Sequence, residues 1–201
     1  MQLYGSTYSG YTQKVHIALA EKRLTASIPF TLSPRDDPAR RLRHPLGLVP
    51  VLALGDGTFL TESTPIIEYL DAFHPEPPLI PSEPLQRARM HALDHFNDQA
   101  LTPAVRQLWH LGFPDSRHSP HPEGDDAAQA AIGRVFTHLE QELGDLPYLV
   151  GTFSIADIAF MARLQILPRL GIAPPANLLR VQRWASRLAA RPSWAATMYP
   201  A

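Results

Sequence analysis

Residues 44–70 read HPLGLVPVLALGDGTFLTESTPIIEYL, and their pattern predicts a compact α/β arrangement. The apolar runs 51–54 and 58–60 flank Gly-Asp-Gly at 55–57, whose residues tolerate positive φ angles and therefore predict a β-hairpin. Residues 62–73 follow with apolar side chains at helical spacing, which predicts a helix. A hairpin followed directly by a helix is typical of a small layered domain.

Upstream of this stretch, short strand-like and helix-like segments alternate. Residues 2–5 and 27–32 are expected to form strands, whereas residues 11–23 and 36–43 are expected to form helices. The complete predicted order is β-α-β-α-β-β-α.

Downstream, residues 74–84 read HPEPPLIPSEP and can continue neither a helix nor a central strand, because proline lacks the backbone donor. We therefore expect an α/β domain over 1–75, a proline-rich linker over 76–84 and an all-helical domain over 85–201. The helical domain is predicted to contain helices over 85–113 (with a kink at Pro103), 125–143, 154–167 and 178–190, a polar loop over 115–124 and a short helical tail over 193–197.

The composition excludes several classes of protein. The 201 residues include 18 basic and 19 acidic side chains, and this balance provides no electrostatic surface for nucleic acid or an anionic membrane. The chain contains no cysteine, which excludes disulfides, thiolate metal sites and a cysteine nucleophile of its own. No apolar run approaches about 18 residues, and the start MQLYGSTYSG lacks the pattern of a signal peptide. We expect a cytoplasmic globular protein.

The loop GSTYSGYT at 5–12 joins the first predicted strand to the first predicted helix. Its two glycines have the spacing of a phosphate-binding loop, but Tyr11 stands where that loop needs a lysine, so a nucleotide site is not predicted. Ser9 is well placed to cap the helix that follows.

Two further dipeptides indicate a site for a zwitterionic amino-acid group. A cis bond between Val49 and Pro50 would turn the Val49 backbone outward and offer its N–H and C=O to an extended peptide. Glu62 and Ser63, at a helix start, would offer a carboxylate to an ammonium, and a hydroxyl and free N–H groups to a carboxylate. The alternative is that Ser63 only caps the helix.

Taken in order, the motifs LYGSxxS (3–9), KVxIALxEK (14–22), HPxGxVPVL (44–52) and YLVGxxSIADIAF (148–160) resemble the cytosolic glutathione transferase family. The resemblance covers residues 2–194. It implies a thioredoxin-like N-terminal domain, an all-helical C-terminal domain and a homodimer. It also implies glutathione as co-substrate, with no permanently bound cofactor.

The resemblance also implies roles for individual residues. In the serine-type members, similar to the theta, zeta and many bacterial forms, the catalytic hydroxyl lies six residues before the valine of the first helix, which is Ser9 here. Val49 and Pro50 match the backbone clamp on the cysteinyl part of glutathione. Glu62 and Ser63 match the γ-glutamyl site. The expected partners are glutathione and a small electrophile such as an aryl halide, epoxide, activated alkene or organic peroxide.

Several alternatives stay open at this point. Tyr4, Tyr8 or Tyr11 is a rival activator of the thiol. Tyr8, Tyr11 and Trp109 are candidates for the wall of the acceptor pocket, with ordinary packing as the alternative. The same thiolate would serve an isomerase or a dehalogenase, and the same fold also occurs in interaction modules that no longer use glutathione.

The chain departs from the family pattern at two positions. His44 replaces the usual asparagine, and Leu48 replaces the lysine or glutamine that meets the glycine carboxylate of glutathione. The residues that could replace this contact lie in one basic segment, namely Arg35, Arg40, Arg41, Arg43 and His44.

Two other motifs are interpreted as structural. Ser154 and Asp157 have the spacing of a capping box at the start of an apolar helix. His91 and His95 lie four residues apart, but HALDH lacks the glutamate of a zinc-protease motif, so no metal site is predicted.

Overall fold

The computed structural model describes residues 1–113 and 123–199. The chain divides into two compact units, the first comprising Met1–Ile80 and the segment from Pro192 onward, and the second comprising Pro81–Arg191. The break after Ile80 falls within the proline-rich segment. The polar loop expected over 115–124 lies almost entirely outside the described residues.

The first unit is built on one mixed four-stranded sheet. Its strands lie in the order β2-β1-β3-β4, with β1 parallel to β2 and antiparallel to β3, and β3 antiparallel to β4. The strands are β1 (Gln2–Gly5), β2 (Phe30–Leu32), β3 (Val51–Ala53) and β4 (Phe59–Thr61). The helices are α1 (Gly10–Glu21), α2 (Arg40–Arg43) and α3 (Ser63–Phe73). The predicted order of elements, and with it the thioredoxin-like fold class, is confirmed.

Two elements of this unit are shorter than predicted because local hydrogen bonds form turns. The backbone N–H groups of Ser27 and Ile28 both donate to the carbonyl of Leu24, so β2 begins only after this turn. The Asp37 carboxylate accepts from the backbone N–H of Ala39 at 2.9 Å, and this turn delays the start of α2. The core between sheet and helices is aliphatic and includes Leu3, Ile17, Leu52, Ile66, Ile67 and Leu70, all fully buried.

In its described residues, 81–113 and 123–191, the second unit has regular structure that is helical. It contains α4 (Pro84–Phe96), a π-helical turn (Asn97–Leu101), α5 (Thr102–Gln107), α6 (Trp109–Gly112), α7 (Asp125–Leu143), α8 (Ile155–Leu164), a 3₁₀ turn (Leu167–Leu170) and α9 (Leu179–Ala189). The last helix of the chain is α10 (Pro192–Ala196), which belongs to the first unit. The expectation that residues 85–201 form one domain therefore differs from this division at its C-terminal end.

The helical stretch expected over 85–113 is present, but it is divided into α4, a π-helical turn, α5 and α6. The helix changes to a π-helical turn at Asn97, and α5 then restarts with Pro103 in its first turn. Proline removes one helical hydrogen bond and clashes with the preceding turn, and a π-helical turn relieves both effects. The helix over 125–143 has the predicted bounds and ends at Gly144, whose φ of 49° a side chain would oppose.

Helix α8 is the centre of the second unit. All ten of its residues are buried, as its apolar composition predicts. The predicted capping box is present, and the fully buried Asp157 accepts from the backbone N–H of Ser154 at 3.1 Å. In the part of the chain that the structure describes, no helix is both long and apolar enough to cross a membrane.

Candidate active site

The strand register brings three loop segments to one edge of the sheet. Tyr4 of β1 pairs with Val51 of β3, and Val51 pairs with Thr61 of β4. The loop that leaves β1, the dipeptide Val49-Pro50 before β3 and the residues after β4 therefore lie at the same edge. The N-termini of α1 and α3 also begin there, and helix N-termini favour anionic groups.

Ser9 occupies the N-cap position of α1. Its Oγ accepts from the backbone N–H of Thr12 at 3.2 Å, and its backbone carbonyl accepts from that of Gln13 at 2.8 Å. A hydroxyl has one proton besides its acceptor lone pairs, so the cap leaves the Ser9 O–H able to donate. This O–H donates to none of the described residues, and the side chain is only half-buried. Capping and thiol activation are therefore compatible roles.

Val49 and Pro50 are joined by the cis peptide bond that the sequence suggests. Pro50 is buried, whereas Val49 is partly exposed and lies just outside β3. The N–H and C=O of Val49 make no hydrogen bond with any described residue. Both groups can therefore pair with the backbone of an extended peptide, as in an added strand.

Glu62 and Ser63 form the start of α3. Glu62 is the N-cap residue and has a φ of 69°, a left-handed conformation that costs about 1–3 kcal/mol for a residue with a side chain. Its carboxylate extends into solvent, with 68% of the side chain exposed. Ser63 is already helical and 5% exposed, so the alternative in which Ser63 merely caps α3 is wrong.

His44 is a site residue whose place the sequence did not predict. Its ring is buried, and Nδ1 accepts from the backbone N–H of Leu46 at 3.0 Å, which assigns the proton of a neutral imidazole to Nε2. Nε2 lies 3.6 Å from Oε1 of Glu62. The basic character of residues 35–44 suggested a contact with a carboxylate of the ligand, but the structure places this histidine beside the carboxylate of the protein.

Lys14 is a second residue that the sequence analysis missed. It is fully buried on α1, and its Nζ donates to Oγ1 of Thr64 at 3.1 Å. This bond joins α1 to the first turn of α3, next to Ser63. The signal in the sequence is a lysine directly before the apolar residues Val15, Ile17 and Ala18 of this helix, since a lysine is almost never fully buried without a partner.

Tyr4 is occupied by other contacts. Its hydroxyl donates to Oε1 of Gln2 at 3.1 Å, and the guanidinium of Arg43 lies 4.1 Å from its ring centroid. These contacts disfavour Tyr4 as the activating group.

The three candidate residues of the acceptor pocket have different environments. Tyr8, beside Ser9, is 42% exposed and stacks on Tyr199 with ring centroids 6.4 Å apart. Tyr11 is half-buried in the first turn of α1. Trp109 belongs to the second unit, where it stacks on Phe113 with centroids 4.4 Å apart.

The arginines of the basic segment differ in the groups that they contact. Arg43 pairs with Asp37 at 3.1 Å, and the pKa of Asp37 is lowered first by the backbone N–H of Ala39 and then by Arg43. The stems of Arg40 and Arg41 lie beside Gly47, within 4 Å of where its Cβ would stand. Both arginines are therefore close to Leu48, which directly follows Gly47. This is the position at which the family usually carries a polar side chain.

Among residues 1–113 and 123–199, no three or more histidine, aspartate or glutamate side chains lie close enough together to hold a metal ion.

Family models for the N-terminal and C-terminal domains of glutathione S-transferases match residues 3–78 and 100–192. The chain belongs to the glutathione S-transferase family. It is 30% identical over 209 residues to a maleylacetoacetate isomerase of Pseudomonas aeruginosa, covering 96% of this chain and 93% of that protein. It is 28% identical over 204 residues to glutathione S-transferase 2 of Saccharomyces cerevisiae, covering 96% and 87%.

A solved structure agrees with this assignment. The glutathione S-transferase of Methylobacillus flagellatus with glutathione bound aligns with a TM-score of 0.81 and 26% identity, covering 99% of both chains. The family, the fold class and the enzymatic class expected from the motifs are therefore confirmed: the protein is a glutathione transferase.

Proposed function

We propose that Ser9 of this glutathione transferase donates a hydrogen bond to the sulfur of bound glutathione and so holds it as the thiolate. The observation that carries the proposal is the Ser9 hydroxyl itself. Its oxygen caps α1 through Thr12, and its proton faces no acceptor among the described residues.

The energies available at Ser9 are sufficient for this role. A free thiol with a pKa near 8.5 is only about 3% ionised at pH 7. A hydrogen bond to a charged partner contributes about 1.5–3 kcal/mol, and a helix N-terminus adds about 0.3–1 kcal/mol. Lowering the thiol pKa by two units requires about 2.7 kcal/mol, which lies within the sum.

The remaining residues at this edge of the sheet would hold the peptide. Val49 would pair with the cysteinyl backbone of glutathione. Glu62 would receive the γ-glutamyl ammonium, and Ser63 with the first N–H groups of α3 would receive the α-carboxylate. The exposed Arg41, whose stem lies beside Gly47, would compensate for the missing polar side chain at position 48.

The reaction would be nucleophilic displacement or addition. Glutathione loses its thiol proton to solvent on binding, and a sulfur electron pair then forms a bond to the electrophilic carbon. With a peroxide, the bond would form to one oxygen as the O–O bond breaks, and the other oxygen would leave as an alkoxide that takes a proton from solvent. With an aryl halide, the halide leaves with the electron pair of the broken bond. We propose that this chemistry serves detoxification of small electrophiles by a cytoplasmic homodimer.

A second candidate function is a glutathione-dependent isomerase that uses the same thiolate. It is favoured by the 30% identity to a protein named maleylacetoacetate isomerase. A dehalogenase would need the same site. The presence of Ser9, Pro50, Glu62 and Ser63 together disfavours an interaction module without glutathione.

The direct test combines glutathione calorimetry with a panel of electrophiles that includes a chromogenic aryl halide, an epoxide, a peroxide and a cis-alkene diacid. We expect glutathione to bind and at least one acceptor to be converted. Absence of both binding and turnover would reject the proposal. Light scattering should give the mass of a dimer.

Replacing Glu62 should raise KM for glutathione and leave kcat nearly unchanged. Glu62→Gln removes a charge-assisted hydrogen bond worth about 1.5–3 kcal/mol, so we expect KM to rise at least about tenfold. Steady-state kinetics with glutathione as the varied substrate measures this split. An equal fall in kcat would instead place Glu62 in the chemical step.

His44 should act through Glu62. We expect His44→Asn, which introduces the residue usual in the family, to raise KM for glutathione by a smaller factor than Glu62→Gln. In a Glu62→Ala background the same change should have almost no effect, because the oxygen that faces Nε2 of His44 is gone. If the two effects simply add, His44 contacts the ligand by another route.

A further inference from the structure

The second unit contains a cavity that the glutathione chemistry does not use. It measures about 230 Å³ and lies between α9 and the turn that follows α7. Three arginines of α9, namely Arg180, Arg183 and Arg187, line one side, and residues 144–147 line the other.

The three arginines share one face of α9. Their spacing of three and four residues places them within about 60° of one another around the helix axis, since successive residues are about 100° apart. The neighbouring face of α9, centred about 100° around the helix axis, is apolar and buried, with Val181, Trp184 and Leu188 at most 1% exposed. Like charges at this spacing destabilise a helix, and α9 contains no acidic residue to offset them.

Glu140, the carboxylate closest to Arg180, already caps the start of α9. Glu140 of α7 accepts from the backbone N–H of Arg180 at 3.1 Å and of Val181 at 2.9 Å, so both its oxygens cap the start of α9. Its remaining contact with an arginine is long, at 3.7 Å to Nη1 of Arg180.

The other two guanidinium groups, those of Arg183 and Arg187, differ in their contacts. Arg187 is fixed at the cavity wall, because its Nη1 donates to the carbonyl of Pro147. Arg183 makes neither an ion pair nor a hydrogen bond with any described residue. Asp145 also lines the cavity, but forms no ion pair with these arginines. The cavity thus presents more positive than negative charge. The guanidinium of Arg183 forms no hydrogen bond or close ion pair with the described residues, and only the more distant charge of Glu140 acts on it.

We propose that this cavity binds a phosphate group, with Arg183 as the principal ligand and Arg180 and Arg187 in support. Guanidinium groups match phosphate oxygens in planar pairs of hydrogen bonds, which favours phosphate as the anion. The volume has room for several water molecules at about 30 Å³ each, so it accommodates a small phosphomonoester as well as the free ion. The carboxylate of Asp145 would repel a bound anion, and so disfavours ligands of higher negative charge.

The test is titration of the full-length enzyme with inorganic phosphate and with glycerol 3-phosphate, by calorimetry at constant ionic strength. We expect saturable binding that Arg183→Gln weakens by about tenfold or more, equivalent to about 1.4 kcal/mol. Arg134→Gln, which removes an exposed arginine of α7, is the matched control and should leave the affinity unchanged. Asp145→Asn should strengthen binding, because it removes a repelling charge.

The outcomes separate the sources of the phosphate group. Tighter binding of glycerol 3-phosphate than of phosphate would identify an organic phosphomonoester as the ligand, and equal binding would identify the ion. Heat reproduced by sodium chloride alone, or equal loss in Arg183→Gln and Arg134→Gln, would overturn the proposal. Glutathione conjugation should persist in all three variants, so a failure here is distinct from a failure of the proposed function.

Discussion

Ser9→Ala is expected to lower kcat/KM for conjugation of an aryl halide at pH 7 by about 10- to 150-fold. This range corresponds to losing one hydrogen bond of about 1.5–3 kcal/mol to the thiolate. The loss should shrink as the pH approaches the pKa of the free thiol, near 8.5, because the sulfur then ionises without help. Rates measured from about pH 6 to 9 with saturating acceptor would show this convergence.

Variants at the same cap distinguish activation from folding. Removal of the cap costs about 0.5–2 kcal/mol of stability, so Ser9→Ala must be assayed well below its melting temperature. Ser9→Thr keeps both the cap and the donor, and should retain most of the activity. Tyr8→Phe and Tyr11→Phe should be close to wild type. A Ser9→Ala enzyme of full activity, together with an inactive Tyr11→Phe enzyme, would move the role to the tyrosine.

The second large effect is expected at Asp157, in the core of the helical unit. Its carboxylate accepts from the backbone N–H groups of Leu149 at 3.2 Å and Ser154 at 3.1 Å, and from Nε1 of Trp184 at 2.8 Å. Asp157→Asn would turn an amide N–H toward at least one of these donors. An unsatisfied buried polar group costs about 1–3 kcal/mol, so we expect a loss of about 1–3 kcal/mol in unfolding free energy at pH 7, where the wild-type carboxyl group is ionised.

This loss should depend on pH. Burial raises the pKa of Asp157 from 3.8 to about 6, although the three N–H donors oppose the shift. A carboxyl group with a raised folded-state pKa contributes stability below its unfolded pKa, and this contribution is lost as the pH rises through about 6. The unfolding free energy of the wild type should therefore fall by roughly 3 kcal/mol between about pH 4 and 6. That of Asp157→Asn should not show this fall.

Urea unfolding of both proteins at several pH values measures this difference. The difference in unfolding free energy between the wild type and Asp157→Asn should be largest near pH 4 and should decrease toward pH 7. Asp145→Asn, an exposed carboxylate of the same unit, is the control and should show a pH dependence like that of the wild type. A gap that stays constant over this range would contradict a raised pKa for Asp157.

Most of the first unit could be predicted because its signals are local. The Gly-Asp-Gly turn at 55–57 and the apolar runs beside it specify a hairpin through positive φ and alternation, and both strands appear within one residue of their expected positions. Helix α7 also has the predicted bounds, because Gly144 at its end is a local signal in the sequence. The proline at position 103 indicated that the helix is irregular there, but the π-helical turn over Asn97–Leu101 was not predicted, because such a turn leaves no local signal in the sequence.

The candidate site was predictable only in part. Ser9, Pro50 and Glu62 lie in motifs, so their positions could be inferred. The contact of His44 with Glu62 and the bond from Lys14 to Thr64 join residues 18 and 50 positions apart, and only the packed chain reveals them. Local pattern specifies which residues have useful chemistry, but tertiary structure determines which of them meet.

The return of α10 to the first unit has a consequence for biosynthesis. Ser193 donates to Glu21, and Gln13 donates to the carbonyl of Thr197, so helix α1 is completed by residues that leave the ribosome after the whole second unit. Although domains generally fold in order of synthesis, the unit translated first here remains unfinished until translation has passed residue 197. A nascent chain stalled before that point would expose the α1 surface to chaperones.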